Sequence, residues 1–380
     1  MKKNYFTISI VLLSFVLTIV SCDNKPSSKT GSQDSTSIDS QKVEQKDLVA
    51  DEAINQAARF YAGISKDGIQ MNQEDSKEWD TYSNTIKQYL NQSSNTINGV
   101  ETLAKTDFSD FRNKVNFVFY PFSAADFMYA ATLFPDADAY FLCGLEKTGS
   151  LIGTDVKTNF AHYEAYRNAM ATFFRSSFFI TKDMASDFHN KELDGVCPII
   201  TMLMAIKDYE IISINYMKLD SNGQLSKTDS VSNVLEFKFF KKGSKHEQTL
   251  IYYSGNVENS IFPDNLKQYL SNTLSNYRVG TFLKAASYLL RGSAFSTMRD
   301  FILNNSIAVI QDDSGIPYKY FKNDFDVTLY GMYQQPKKCF DRSCFQSDLD
   351  TIYKEGTNIR PLNFRIGYNN PSNWMCARRK

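Results

Sequence analysis

The sequence predicts an α/β protein built on a βαβ unit, with an antiparallel β-meander attached to it and helices around the outside. Three observations lead there. Asn116–Phe122 reads as an apolar strand, Ser123–Phe134 as a helix and Ala139–Gly144 as a second apolar strand. A strand, helix and strand within about 30 residues implies parallel strands joined by a right-handed crossover. Further on, Tyr209–Lys218, Val234–Lys241 and Gln248–Tyr253 are β-type runs separated by Ser221-Asn222-Gly223 and Lys242-Gly243-Ser244, the turn chemistry of a meander. Around these, helical spacing alternates with short apolar runs, the pattern of a layered α/β domain.

Taken in order, the chain opens on Met1-Lys2-Lys3 and an apolar run from Phe6 to Val20 that ends Ile19-Val20-Ser21-Cys22. A basic start, a short apolar stretch and a small residue before the cut are the parts of a secretory signal, here residues 1–21. The run is shorter than the ~20 residues a spanning helix needs. Residues 22–47 are Ser, Lys, Asp, Gln and Thr with little apolar content, so they read as a disordered tether whose coil spans on the order of 25–30 Å. Residues 48–380 are expected to form a single domain, in which residues 207–255 are the antiparallel part and a candidate subdomain.

Helical spacing appears over 48–64 and again over 76–90 around Trp79 and Tyr89. In the βαβ unit, Ser123 is placed to cap the helix, with Asp126 in its first turn and Pro135-Asp136 closing it. Residues 158–178, 181–206 and 263–291 read as helices, and Phe295–Leu303 as a helix leading into a strand over Ile307–Ile310. Val327–Tyr333 and Pro361–Tyr368 read as late strands around a short helix at Asp348–Tyr353, and Ala377-Arg378-Arg379-Lys380 as a solvated basic tip.

Lys and Arg number 42, as do Asp and Glu, so neither a nucleic-acid partner nor an electrostatically held membrane surface is implied. The 29 Phe and 22 Tyr exceed what a surface can carry, so most must be core, and any exposed remainder would suit a glycan platform. Cys143 and Cys197 lie in apolar segments and read as small buried hydrophobes. Cys339 and Cys344 form a close pair in a loop, with Cys376 near the end, and one disulfide is expected among these three. No fourth ligand completes a metal site around them, so no metal is expected.

Chemistry-bearing residues are few. There is no P-loop, G-x-S-x-G, H-E-x-x-H or G-x-G-x-x-G, and His162, His189 and His246 are scattered. Arg291, Arg299 and Lys319 read either as anion contacts or as surface charges. The segment Ile307-Ala-Val-Ile-Gln-Asp312-Asp313-Ser314-Gly-Ile-Pro places two adjacent carboxylates and a hydroxyl at the end of a strand. Its composition is that of a turn. Two buried neighbouring carboxylates would also fail to ionise together, which would leave one able to act as an acid.

Three resemblances follow from these residues. Ile19-Val20-Ser21-Cys22 resembles a bacterial lipobox, which implies a diacylglycerol on Cys22, further acylation of its amino group and attachment to membrane through the lipid. Asp23 favours inner-membrane retention where enteric-type sorting operates; the address implied is a bacterial envelope membrane, the outer one favoured. The βαβ unit, with a loop after its first strand and Glu146 past the tip of its second, is similar in outline to the Rossmann-like, methyltransferase-type nucleotide fold. It departs in Phe122-Ser123-Ala124-Ala125-Asp126, which has no glycine where a cofactor needs close backbone approach, so no cofactor is expected. With Tyr-Pro-Phe-Ser-x-x-Asp at 120–126 and Gln-Asp-Asp-Ser-Gly-Ile-Pro at 311–317, most of residues 50–370 resembles a group of uncharacterised bacterial secreted proteins and lipoproteins, which carries no activity to transfer. The expected role is binding or structural at the envelope, with a small molecule or glycan as ligand. The rival expectation is an enzyme. In either case the ligand edge would be Tyr120, Ser123, Asp126, Glu146, Asp312, Asp313 and Ser314.

Overall fold

Short strands made almost wholly of apolar residues are stable only where both sheet faces are covered, and the centre of this protein is built that way. In the computed structural model, residues 47–151, 160–180, 195–334, 344–356 and 358–380 are described. Lys46–Lys380 is one compact unit. Among the described residues its sheet has eleven strands in the order β10-β9-β11-β8-β7-β1-β2-β6-β5-β3-β4. In chain order these are β1 Phe117–Tyr120, β2 Ala139–Gly144, β3 Tyr209–Leu219, β4 Leu225–Thr228, β5 Val234–Lys241, β6 Glu247–Ser254, β7 Val279–Leu283, β8 Ser306–Gln311, β9 Phe325–Gly331, β10 Ile359–Arg360 and β11 Asn373–Arg379.

The five middle strands, β8-β7-β1-β2-β6, are all parallel. Antiparallel strands flank them, with β5, β3 and β4 beyond β6, and β11 between β8 and β9. The meander therefore continues the main sheet edge to edge and is not a separate subdomain. β4 was not foreseen in it. The alternation along β1 shows why two helical layers are needed. Val118 and Tyr120 join one core cluster, while Phe117 and Phe119 join the other on the opposite face. Burying each such aromatic stabilises the fold by roughly 1.5–3 kcal/mol relative to exposure.

The first face is covered by α1 (Glu52–Tyr61), α2 (Gln73–Thr106), α4 (Phe127–Leu133), α5 (Phe160–Ser176) and α6 (Cys197–Ile206), a short α3 (Ser109–Arg112) following α2. Asp51 and Asn72 cap α1 and α2 by accepting from Ile54 N and Asp75 N. The second face carries α7 (Asp264–Leu274), α8 (Ser296–Asn305) and α9 (Ser347–Glu355), anchored by Leu266, Met298 and Leu349. No helix among the described residues is long and apolar enough to cross a membrane. The signal segment and the tether as far as residue 46, with Cys22, lie outside the described residues.

Several expectations are corrected. Ser123 does not cap the helix after β1. That helix starts at Phe127, and Asp126 caps it by accepting from Tyr129 N at 3.2 Å. The helix expected over 263–291 stops at Leu274, and β7 follows in the middle of the sheet. Its Gly280 is required by crowding, since a Cβ there would lie 2.8 Å from Val115 and 3.1 Å from Phe134. Pro361–Tyr368 is not a strand, and the expected basic tip is the end of β11. There Arg379 donates to Ser306 O at 2.9 Å and Arg378 to Asp107 O at 2.6 Å.

Candidate functional site

Because the five central strands run the same way, their C-terminal ends share one edge. The connections from β1 and from β7 leave towards opposite sides, so a crevice opens at that edge. A cavity of about 1170 Å³ fills it. The loops after β1, β2, β6 and β7 form its walls, together with Phe178 and Phe179 beyond α5 and the stretch Tyr368–Asn370. Phe122, Phe178, Phe179, Tyr288, Phe295 and Tyr368 give the wall a set of aromatic rings among smaller and polar residues. Phe178 packs edge-on to Tyr368 at 4.9 Å, and Phe122 edge-on to Phe295 at 5.8 Å.

The backbone of this wall is unusual. Eight non-glycine residues among those described adopt left-handed conformations, and five of them line the cavity: Phe122 (φ 65°), Ala124 (49°), Ala285 (53°), Ser287 (53°) and Tyr288 (61°). Such conformations cost on the order of 1–3 kcal/mol each and persist only where the surroundings over-determine them. The β1 loop is fixed by Ser123, whose N–H donates to Cys143 O at 2.9 Å and whose hydroxyl accepts from Cys143 N at 3.0 Å. The lack of glycine noted in Phe122–Asp126 is thus met by side-chain-bearing residues held in glycine-like geometry.

At the floor, Lys284 is wholly buried. It donates to Asp126 Oδ2 at 2.7 Å and to the carbonyl of Ser177, with its ammonium 3.9 Å from the Tyr129 ring centre. Tyr120 donates to the same Oδ2 at 2.9 Å. Burial lowers the lysine's proton affinity and Asp126 partly restores it, while burial and the Asp126 charge push the Tyr120 phenol up. This set ties together the β1 loop, the end of α5 and the β7 loop. Glu146 is buried on the cavity wall rather than at a solvated edge, and its carbonyl accepts from Tyr252 OH at 2.8 Å.

Asp312, Asp313 and Ser314 stand behind the wall and do not line the cavity. All three are buried, so they are not a solvated turn. Asp312 Oδ2 accepts from Ala285 N at 3.1 Å, and its Oδ1 from Ser314 N at 3.0 Å and the Ser314 hydroxyl. Ser314 in turn accepts from Ala286 N at 2.7 Å, through Oγ, and from Tyr288 N at 3.0 Å, through its carbonyl. Asp313 Oδ1 accepts from Asn369 at 2.7 Å and Asn373 at 3.1 Å, and its Oδ2 from Tyr288 OH at 3.3 Å. Burial, then the charge of Asp313, pushes Asp312 up to about 7, and burial raises Asp313 as well.

The structure therefore brings Tyr120, Ser123, Asp126 and Glu146 into one cavity and sets Asp312, Asp313 and Ser314 directly behind it. Lys284, the 285–288 loop, Phe178 and Tyr368 were not anticipated. The only signal for Lys284 is a lone cation following the apolar Val279–Leu283. No family model, curated protein or solved structure matches this chain.

The remaining candidates fall away from the site. Arg299 is buried and donates to Leu290 O at 2.8 Å, and Arg291 stacks on Tyr288 while donating to Asp313 O at 3.3 Å. Both are bound to protein carbonyls, Arg299 buried and Arg291 half-buried. His246 pairs with Asp138 at 2.9 Å on the surface; His189 and the side chain of His162 lie outside the described residues. Among the described residues no cluster of His, Cys, Asp or Glu is arranged to hold a metal ion. Both tryptophans are buried. The exposed large aromatics among the described residues are Tyr277 and Phe345, packed on Phe117 and Tyr333 respectively, which is not a glycan-binding row. Cys376 is a buried free thiol and so is not part of the expected disulfide. Cys344 is disulfide-bonded, and Cys339 lies outside the described residues.

Proposed function

We propose that this protein is a lipid-anchored, extracytoplasmic binding protein whose ligand is a small organic molecule held at the strand ends of a Rossmann-like core. The observation that carries the binding reading is the cavity itself. It is large, carries several aromatic side chains, sits at the strand-end crevice, and is walled by backbone held in costly conformations. The Rossmann-like reading is supported by strand order. Counted along the chain, β6-β2-β1-β7-β8 reads third, second, first, fourth, fifth, as in doubly wound nucleotide-binding sheets. The anchoring reading rests on the signal sequence and Cys22.

A second reading is favoured by Glu146. An acidic residue past the end of the second strand is where such folds receive ribose hydroxyls, and here it lines the cavity beside the aromatic wall. The ligand would then carry a nucleoside, and any catalysis would draw on the Tyr120–Asp126–Lys284 set.

Thermal unfolding of the wild type and Phe178→Ala against nucleosides, aromatic metabolites and short glycans tests these readings. A ligand at ~100 times its Kd adds about 2.7 kcal/mol, and the variant should lose most of it. Nucleosides that stabilise the wild type but not Glu146→Gln support the second reading. If no compound stabilises the wild type, or Phe178→Ala responds equally, the cavity is not the ligand site. For the anchor, Cys22→Ala should release the protein from membranes, and unchanged fractionation would refute lipidation.

A further inference from the structure

We propose that Asp312 and Asp313 are a pair of positioning residues that couple the protonation of the β8 end to the shape of the cavity wall. The wall loop after β7 carries three left-handed residues, Ala285, Ser287 and Tyr288; four of the bonds that fix it lead to these two carboxylates or to Ser314, and two lead to Tyr368. Asp312 holds Ala285 N, and Ser314 holds Ala286 N and Tyr288 N. Asp313 holds the Tyr288 hydroxyl and, through Asn369, the opposite wall. Gly367, on that opposite wall, approaches so closely that a Cβ would lie 2.1 Å from Asp312 Oδ2. A change of charge at the pair therefore acts directly on the loop that lines the cavity.

The surrounding charges make one proton the balanced state. The charged groups facing the pair are Lys284 at the end of β7, which also binds Asp126 of the β1 loop, and Arg291 after β7. With one carboxylate ionised, two positive charges meet two negative ones; with both ionised, a net negative charge is buried. The phenols that face the pair, Tyr288, Tyr333, Tyr353 and Tyr368, with Tyr120 beyond Lys284, are all pushed up by burial and stay neutral through the physiological range. The pair is left as the group that titrates. Its apparent values belong to both carboxylates together.

The inference rests on the cavity being the binding site only for its functional meaning; its geometry is tested without a ligand. Amide chemical shifts of Ala285, Ala286 and Tyr288 are followed from pH 5.5 to 8.5 in the full chain. All three should move with one shared midpoint near neutrality, and Asp312→Asn should flatten them. Two further variants move the midpoint in opposite directions. Asp313→Asn removes the like charge and lowers it by about 1 pH unit, whereas Ser314→Ala removes a donor to the carboxylate and raises it. Static amides in the wild type overturn the proposal, as do unshifted midpoints in both variants. Binding of the uncharged apolar dye N-phenyl-1-naphthylamine is then followed over the same range. Affinity that tracks the amide midpoint supports the coupling, and affinity independent of pH while the amides titrate overturns it. Absence of dye binding at every pH counts against the cavity as a binding site, and the positioning role is then decided by the amides alone.

Discussion

Replacing Lys284 by Met removes the cation that three elements share and leaves the Asp126 carboxylate buried with two donors, Tyr120 OH and Tyr129 N. The side chains of the pair are 0% and 1% exposed, so water cannot take the place of the ammonium. Breaking a buried pair by removing one partner costs roughly 3–5 kcal/mol, because the remaining charge is uncompensated. Here the carbonyl of Ser177 and the face of Tyr129 lose their cation too, which places the expected loss towards the upper part of that range. Asp126→Asn added to Lys284→Met removes the stranded charge while keeping a side chain able to cap α4, so the double variant should be more stable than Lys284→Met alone. Urea unfolding of the four proteins at one pH, with the denaturant dependence held common, measures this as a coupling energy of at least ~1.5 kcal/mol. A Lys284→Met loss under ~1 kcal/mol, or additive single-variant effects, would refute the view that the cavity floor is one coupled unit.

Three other outcomes are expected. Asp312 binds more protons folded than unfolded between its ordinary value of 3.8 and about 7, so its contribution to stability falls as pH rises through that window and is level above it. The difference between wild type and Asp312→Asn in urea unfolding should show this decline, by at most about 1.4 kcal/mol per pH unit. Gly367→Ala meets Asp312 Oδ2 at 2.1 Å with φ at 73° and should cost more than ~2 kcal/mol in thermal or urea unfolding; Gly243→Ala, with φ 82° and nothing within 4 Å, should cost only ~1 kcal/mol. A non-reduced peptide map should join Cys339 to Cys344. Cys376, buried and with its thiol pushed up to about 12, should resist alkylation until the protein unfolds.

How far the sequence reached depended on whether a segment's own pattern matched its place. β1 and β2 were readable because Phe117–Tyr120 and Ala139–Gly144 are apolar runs bounded by turn residues, the form a doubly covered strand must take. β7 was missed for the same physical reason in a worse setting. Val279–Leu283 is only five residues, shows no alternation because both faces are buried, and lies between helical patterns. β11 was misread because Arg378 and Arg379 look like a solvated end, whereas their guanidiniums reach carbonyls of neighbouring elements. Within the site, Asp126 was expected on the ligand edge and lines the cavity, but its partner Lys284 lies just past the strand that was missed. The Asp312–Ser314 motif was weighed as a turn or an acid. It is a turn built to grip another loop, which only the fold could reveal.

The way the cavity is stitched together sets when it can exist during folding. Lys284 meets Asp126 across 158 residues, Gly367 N meets Ser177 across 190, and Asp313 meets Asn373 across 60. Closing contacts so distant along a chain is slow, and here the last strand to be made, β11, carries one of the residues that holds the wall. Under the proposed binding role, occupancy of the cavity would be a readout of a finished molecule: fragments ending before Asn373 should retain much of their secondary structure and yet recognise nothing.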